Sequence, residues 1–275
     1  MSNNSNFIRA PEAYGARPRG GDLEEGLLTL GVDTSTEKRS VALLRGARVL
    51  STSTSELREG GSAGLLSDID RVLASASVGL KEVGLFAAAV GPGSFTGLRS
   101  GLATVKGLAM TLSKPAFGVP TLHAVAYGAR PARRVVALIP AGRGEVFAQL
   151  LSVSAEGVIN EIESPTHLPP ARLCEHLARL GGGVKWIGSG AVKFRELIRQ
   201  AAEAASIEFD DSGAIGNDVE GAWALAPAAE SLAETVAVLA CTRVNAGNGG
   251  DAWALGAIYV RPSDAELKGR WHAQG

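Results

Sequence analysis

The sequence is short of several things, and each shortage excludes something. It has two cysteines in 275 residues, Cys174 and Cys241. That is too few for a disulfide framework, and each stands in a stretch of apolar helical spacing, which reads as two buried free thiols in a reducing cytoplasm. Phe, Trp and Tyr together make up 5% of the chain, so its core is closely packed rather than aromatic-rich. No apolar run approaches the roughly 18–20 residues that cross a bilayer: Leu85–Val90 and Val236–Cys241 are short and bounded by turn or polar residues. An excess of one charge is missing too. Lys and Arg number 27 against 28 Asp and Glu, which gives no bulk electrostatic reason to bind nucleic acid. Residues 1–27 are rich in Asn, Ser, Arg, Pro and Gly but lack the apolar core of a secretory signal, and they read as a flexible extension.

What is present is a globular composition, 45% hydrophobic, which excludes a wholly disordered chain. It is dominated by small residues, 44 Ala and 35 Gly. Regular structure is expected from Leu28. Leu28–Val32, Ser40–Leu44 and Arg48–Ser53 read as three strands, with Gly46 turning the chain between the second and third. Leu65, Ile69, Val72, Leu73 and Ala76 then fall at helical spacing, with Asp68 and Arg71 on the other side. A strand, Leu85–Val90, and a second helix over Thr96–Leu112 follow.

The same order then returns. Val135–Ile139, Glu145–Val153 and Val158–Glu163 read as strands. A helix from Pro169 or Pro170 stops at Gly181–Gly183, and after it come the strand Val184–Ile187 and a helix carrying Phe194, Leu197, Ile198, Ala201 and Ala205. Val90-Gly91-Pro92-Gly93 lines up with Ile187-Gly188-Ser189-Gly190. A unit of three strands, helix, strand and helix, repeated after roughly a hundred residues, suits a duplicated domain rather than a solenoid. It resembles the two-lobed α/β fold of actin, sugar kinases and the Hsp70 ATPase, of ribonuclease H-like type. The expected lobes are residues 28–125 and 126–262, with a C-terminal tail at 263–275. A last helix, Ala228–Cys241, and the apolar stretch Trp253–Val260 are assigned to the second lobe.

The most specific stretch is Gly91-Pro92-Gly93-Ser94-Phe95-Thr96-Gly97-Leu98-Arg99, followed by Gly101 and by Lys106-Gly107-Leu108-Ala109. With Gly31-Val32-Asp33-Thr34-Ser35-Thr36, Arg143-Gly144-Glu145-Val146-Phe147 and Tyr259-Val260-Arg261 in the expected order, it resembles the TsaB family, formerly YeaZ, from about Leu28 to Arg261. The resemblance implies a cytoplasmic, non-catalytic subunit required for threonylcarbamoylation of the adenosine beside the anticodon in tRNAs that read codons beginning with A. It implies a heterodimer with the homologous TsaD-type subunit, which binds the metal and transfers the group, together with the TsaE-type ATPase. It leaves room for a homodimer when the chain is alone, and for ATP or ADP at the interface with the partner subunits although no cofactor is expected. Contact with tRNA is expected to be indirect, most of it left to the partner. The rival is an active enzyme of the same fold, either an ATPase or small-molecule kinase or a glycoprotease-like metallopeptidase.

The residues carry their own argument. A glycine-rich turn between strand and helix could cradle a phosphate on helix N-terminal amides, or it could be a structural turn. Its spacing fits neither the P-loop nor the dinucleotide fingerprint. An ATPase of this architecture needs carboxylates at the first strands of both lobes. Asp33 stands in the first, but Pro140-Ala141-Gly142 stands in the second, and Asp33 is either an organiser of its own turn or a residual ligand contact. Asp33, Thr34, Gly188 and Gly190 are the candidates for a vestigial nucleotide contact. The catalytic relatives carry two histidines four apart on the first-lobe helix. Here Gly60-Gly61-Ser62-Ala63-Gly64-Leu65 occupies that region, and His123, His167, His176 and His272 show no such spacing, so no metal site and no catalytic residue is expected. Arg99 and Lys106 could form part of a basic rim. Gly97 and Gly101, four apart on one helical face, call for close approach by another helix, either within the chain or from a partner. By resemblance the first-lobe helices of the family meet a partner in a helical bundle, so Leu65, Ile69, Val72, Leu73, Gly97, Leu98, Gly101, Leu102 and Val105 are the expected interface.

Overall fold

The computed structural model describes residues 26–56, 61–213, 221–246 and 250–260. The expected N-terminal extension, apart from its last two residues, and the C-terminal tail lie outside them. Along the first half run β1 (Leu28–Asp33), β2 (Lys38–Arg45), β3 (Arg48–Glu56), α1 (Gly61–Ser75), β4 (Leu85–Ala89), α2 (Phe95–Thr111), β5 (Ala116–Val119) and α3 (Thr121–Tyr127). The second half runs β6 (Ala132–Gly142), β7 (Glu145–Val153), β8 (Ile159–Glu161), β9 (Thr166–Leu168), α4 (Pro170–Leu180), β10 (Val184–Ile187), α5 (Ser189–Lys193), α6 (Arg195–Ala204), β11 (Glu208–Asp210), β12 (Ala222–Leu225) and α7 (Leu232–Asn245).

The duplication shows in the sheets. The first is ordered β3-β2-β1-β4-β5 and the second β8-β7-β6-β10-β12, with β11 added at the edge and β9 paired to β7. In both, the first three strands in sequence pair antiparallel and the later ones, apart from β9, parallel. The first repeat is longer than the sequence reading by β5 and α3, and the second by β9, α5, β11 and β12. Short length hides the strands, and burial hides α3. β5 and β12 have four residues each, and all of α3 from Thr121 to Ala126 is buried, so it has no polar face to reveal a helical period.

The period-2 alternation of β4 sorts its side chains between two layers. Phe86, Ala88 and Val90 pack with α1 and α2 on one face, whereas Leu85, Ala87 and Ala89 pack with α3 and α7 on the other. The two last helices cross over: α3 lies on β6 and β7, and α7 lies on β1, β2 and β4. Gly31 in the middle of β1 permits this, because a Cβ there would stand 2.2 Å from the Ala233 carbonyl oxygen on α7. The amide of Ile258 donates to the Val90 carbonyl at 2.7 Å, and Ala252 and Leu255 join the first-lobe core. The assignment of the last helix and of Trp253–Val260 to the second lobe is thus corrected, and the boundary at residue 125 falls inside α3. The helix itself starts later than expected, at Leu232 instead of Ala228.

Candidate functional site

The glycine-rich turn leaves β4 through Gly91 (φ +105°) and a cis Gly91–Pro92 bond, then enters α2. Ser94 caps that helix by accepting from the Gly97 amide at 3.2 Å. The Ser94 amide donates to the Ser35 carbonyl at 2.7 Å, and the Gly91 carbonyl accepts from the Thr121 amide at 2.8 Å. A Cβ on Gly93 would come within 2.2 Å of the Ser35 oxygen. The loop is thereby tied to the β1–β2 turn and to the start of α3. With these amides already bonded inside the chain, the arrangement is that of a structural turn rather than an open anion cradle.

Asp33 is buried, and its Oδ1 accepts from the Ser35 amide at 2.9 Å and the Ser35 hydroxyl at 2.5 Å. Burial pushes its pKa above the ordinary carboxylate value, against the pull of the Ser35 and Thr36 hydrogen bonds. Thr34 donates its hydroxyl to the Gly97 carbonyl at 2.8 Å. In the second lobe, Gly188 (φ +106°) and Gly190 sit on the backbone of Leu138, where a Cβ would stand 2.4 and 2.9 Å from its carbonyl oxygen. Asp33, Thr34, Gly188 and Gly190 thus all face the chain's own atoms, which is not the geometry expected of a nucleotide contact. Among the described residues, no three His, Cys, Asp or Glu side chains form a group able to hold a metal ion. His123, His167 and His176 each lie beside a separate glutamate, at 3.1, 2.9 and 2.9 Å.

The expected interface is corrected more sharply. Leu65, Ile69, Val72, Leu73, Gly97, Leu98, Gly101, Leu102 and Val105 are all buried within the chain. A Cβ on Gly101 would stand 2.1 Å from the Thr34 hydroxyl, so this glycine admits the β1–β2 turn and not another helix. Asp68, expected on the polar side of α1, is buried as well. It accepts from Arg39 at 2.6 Å, Ser55 at 2.7 Å and Arg71 at 2.8 Å, clamping α1 onto β2 and β3. Burial alone would raise its pKa, but Ser55, Arg39 and the charge of Arg71 hold it below the usual carboxylate value.

The residues that do face outward are others. Leu66 on α1 is 48% exposed, and Ala103 and Gly107, one turn apart on α2, are exposed as well. Nothing lies within 4 Å of where a Cβ on Gly107 would be. Along another edge of α2, Phe95 and Arg99 meet Tyr259, and Lys106 meets Trp253. The sequence signal for Leu66 was the break it makes in the apolar stripe of α1; Gly107 and Tyr259 were part of the family pattern, without a role.

With this geometry in hand, the relatives are informative. A family model described as TsaD, tRNA N6-adenosine threonylcarbamoyltransferase, matches residues 62–185. The TsaB protein of Escherichia coli is 31% identical over 175 residues, which cover 62% of this chain and 75% of that protein. TsaB of Haemophilus influenzae is 40% identical over 128 residues, 45% of this chain and 53% of that one. Among solved structures, YeaZ from Pseudomonas aeruginosa superposes with a TM-score of 0.63 at 26% identity, covering 85% of this chain and 99% of its own. A ROK hexokinase from Thermus thermophilus, at TM-score 0.51 and 14% identity over 80% of this chain and all of its own, shares the fold alone. The 31% identity over three quarters of the Escherichia coli protein and the superposition on YeaZ agree, and the chain belongs to the TsaB family.

Proposed function

We propose that this protein acts in the biosynthesis of threonylcarbamoyladenosine in tRNA, as a non-catalytic subunit that docks a TsaD-type transferase through the outward faces of α1 and α2. The observation that carries the docking face is Gly107. A glycine inside a helix costs about 1 kcal/mol relative to alanine. Gly101 has a neighbour that demands it, but Gly107 has open space, so its small size serves contact with something outside the chain. Leu66 supplies exposed apolar area on α1. The same face would serve a homodimer when the partner is absent, and a TsaE-type ATPase, with ATP or ADP, would join the assembled pair.

The absence of a catalytic role rests on the residues. The Asp33 carboxylate is enclosed by its own turn, and between residues 62 and 185 no two histidines are four apart. Depletion of the protein followed by nucleoside mass spectrometry of bulk tRNA tests the function: threonylcarbamoyladenosine should fall to a small fraction of its normal level. Unchanged levels would contradict the assignment.

A further inference from the structure

The edge of α2 that faces the 250–260 segment carries three exposed aromatic rings. Trp253 is 72% exposed, Tyr259 48% and Phe95 38%, although large aromatic rings ordinarily gain by burial. Each ring is paired with a cation from α2. The Arg99 guanidinium lies 3.8 Å over the Phe95 ring, and its Nε donates to the Tyr259 hydroxyl at 3.4 Å. The Phe95 and Tyr259 rings are 5.5 Å apart. Two turns further along, Lys106 donates to the Trp253 carbonyl at 2.9 Å, with its ammonium 5.8 Å from the indole centre. Two aromatic platforms with a cation on each therefore stand about 10 Å apart along one helix.

The cations of this edge belong to a basic stretch of the sequence. From Val83 to Gly144 the chain contains no Asp or Glu but seven Lys or Arg, in a protein whose total charge is -1. The acid adjoining this edge in sequence, Asp251, keeps its charge and accepts from the Trp253 amide at 2.8 Å, which fixes the turn that presents the indole. Aromatic faces interleaved with Arg and Lys are what unpaired nucleotides require: bases stack on the rings and guanidinium planes, and the cations take the phosphates. We infer that the Phe95–Arg99–Lys106–Trp253–Tyr259 edge binds unpaired RNA, the loop nucleotides of the tRNA substrate. The identity of that RNA rests on the function proposed above. The contact is direct, in addition to the indirect one that the resemblance implies.

The test uses the full chain assembled with its TsaD-type subunit and a fluorescently labelled, unmodified transcript of a tRNA that reads codons beginning with A. Anisotropy titrations at several salt concentrations should show the Kd rising at least tenfold for the Arg99→Glu/Lys106→Glu double variant. The slope of log K against log salt should shrink by about 2 as two phosphate contacts are lost. Trp253→Ala should weaken binding severalfold and Trp253→Phe should restore most of it, with native mass spectrometry showing the two-subunit assembly intact in every variant. Affinity and salt slope unchanged in the double variant would overturn the proposal. So would release of the TsaD-type subunit by the same variants, which would make this edge a protein contact. The two readings fail separately: RNA binding through this edge with normal threonylcarbamoyladenosine after depletion removes the pathway and leaves the surface, and the reverse pair of results does the opposite.

Discussion

The two faces of α2 use glycine for opposite ends. Gly101, on the inner face, leaves room for Thr34, whose hydroxyl would be 2.1 Å from any Cβ placed there, and whose hydrogen bond to the Gly97 carbonyl fixes the β1–β2 turn. Gly107, six residues on and facing outward, accommodates nothing in the chain. One glycine is a requirement of the fold and the other lowers the stability of the isolated subunit. A helix that gives up stability at an exposed position is expected to gain something from a neighbour, and this difference separates the core of the first lobe from its docking face.

The comparison is broken most severely from the inside. Ile69→Glu places a carboxylate among the core residues beneath α1, and should destabilise the protein by about 4 kcal/mol or more, lowering its urea midpoint whether or not a partner is present. Gly101→Val should cost about 3 kcal/mol through overpacking against Thr34. If either variant lost only its partner while keeping the wild-type midpoint, the inner face would be an interface after all.

The interior also has a pH signature. His123 on α3 is buried near Glu161 of β8, and burial together with the charge of Arg243 pushes its pKa down to about 4. Unfolded, it titrates near 6.5. The folded state therefore binds fewer protons between these values, so its contribution to stability is complete above about pH 6.5 and declines as the pH falls toward 4, by about 3 kcal/mol in all. Denaturant titrations across that range should show the decline, and His123→Gln should flatten it. An equally steep curve in the variant would place the titration elsewhere.

The smallest effect has the opposite sign. Gly107→Ala should stabilise the isolated subunit by about 0.5–1 kcal/mol, since it relieves the helix of a glycine without meeting any atom. A raised melting temperature for this variant beside a lowered one for Gly101→Val would sharpen the contrast between the faces. A loss of stability at both positions would erase it.

Much of this arrangement was legible in the sequence because it is local. The strand runs, the turn glycines and the apolar stripe of α1 and α2 gave the repeated unit, and Asp33 was read as a possible organiser of its own turn, which is how its bonds to Ser35 use it. What was not legible depends on residues far apart in the chain. The direction faced by Gly101 is decided by Thr34, and the burial of Asp68 by Arg39, arriving from a neighbouring strand. The crossing of α7 onto the first sheet hinges on Gly31 and Ala233, some two hundred positions apart. The apolar stripe of α1 and α2 marked the residues that face the sheet; the proposed docking face lies on the other side, where the pattern of a surface helix is uninformative.

The central claim, that the outward face of α1 and α2 holds the transferase subunit, is tested most directly by native mass spectrometry of the TsaD-type subunit mixed with the Leu66→Glu/Gly107→Leu variant. The account predicts a variant with the wild-type circular dichroism spectrum and a melting temperature no lower than wild type, whose two-subunit assembly is reduced at least tenfold. A complex as abundant as that of the unaltered protein would contradict it.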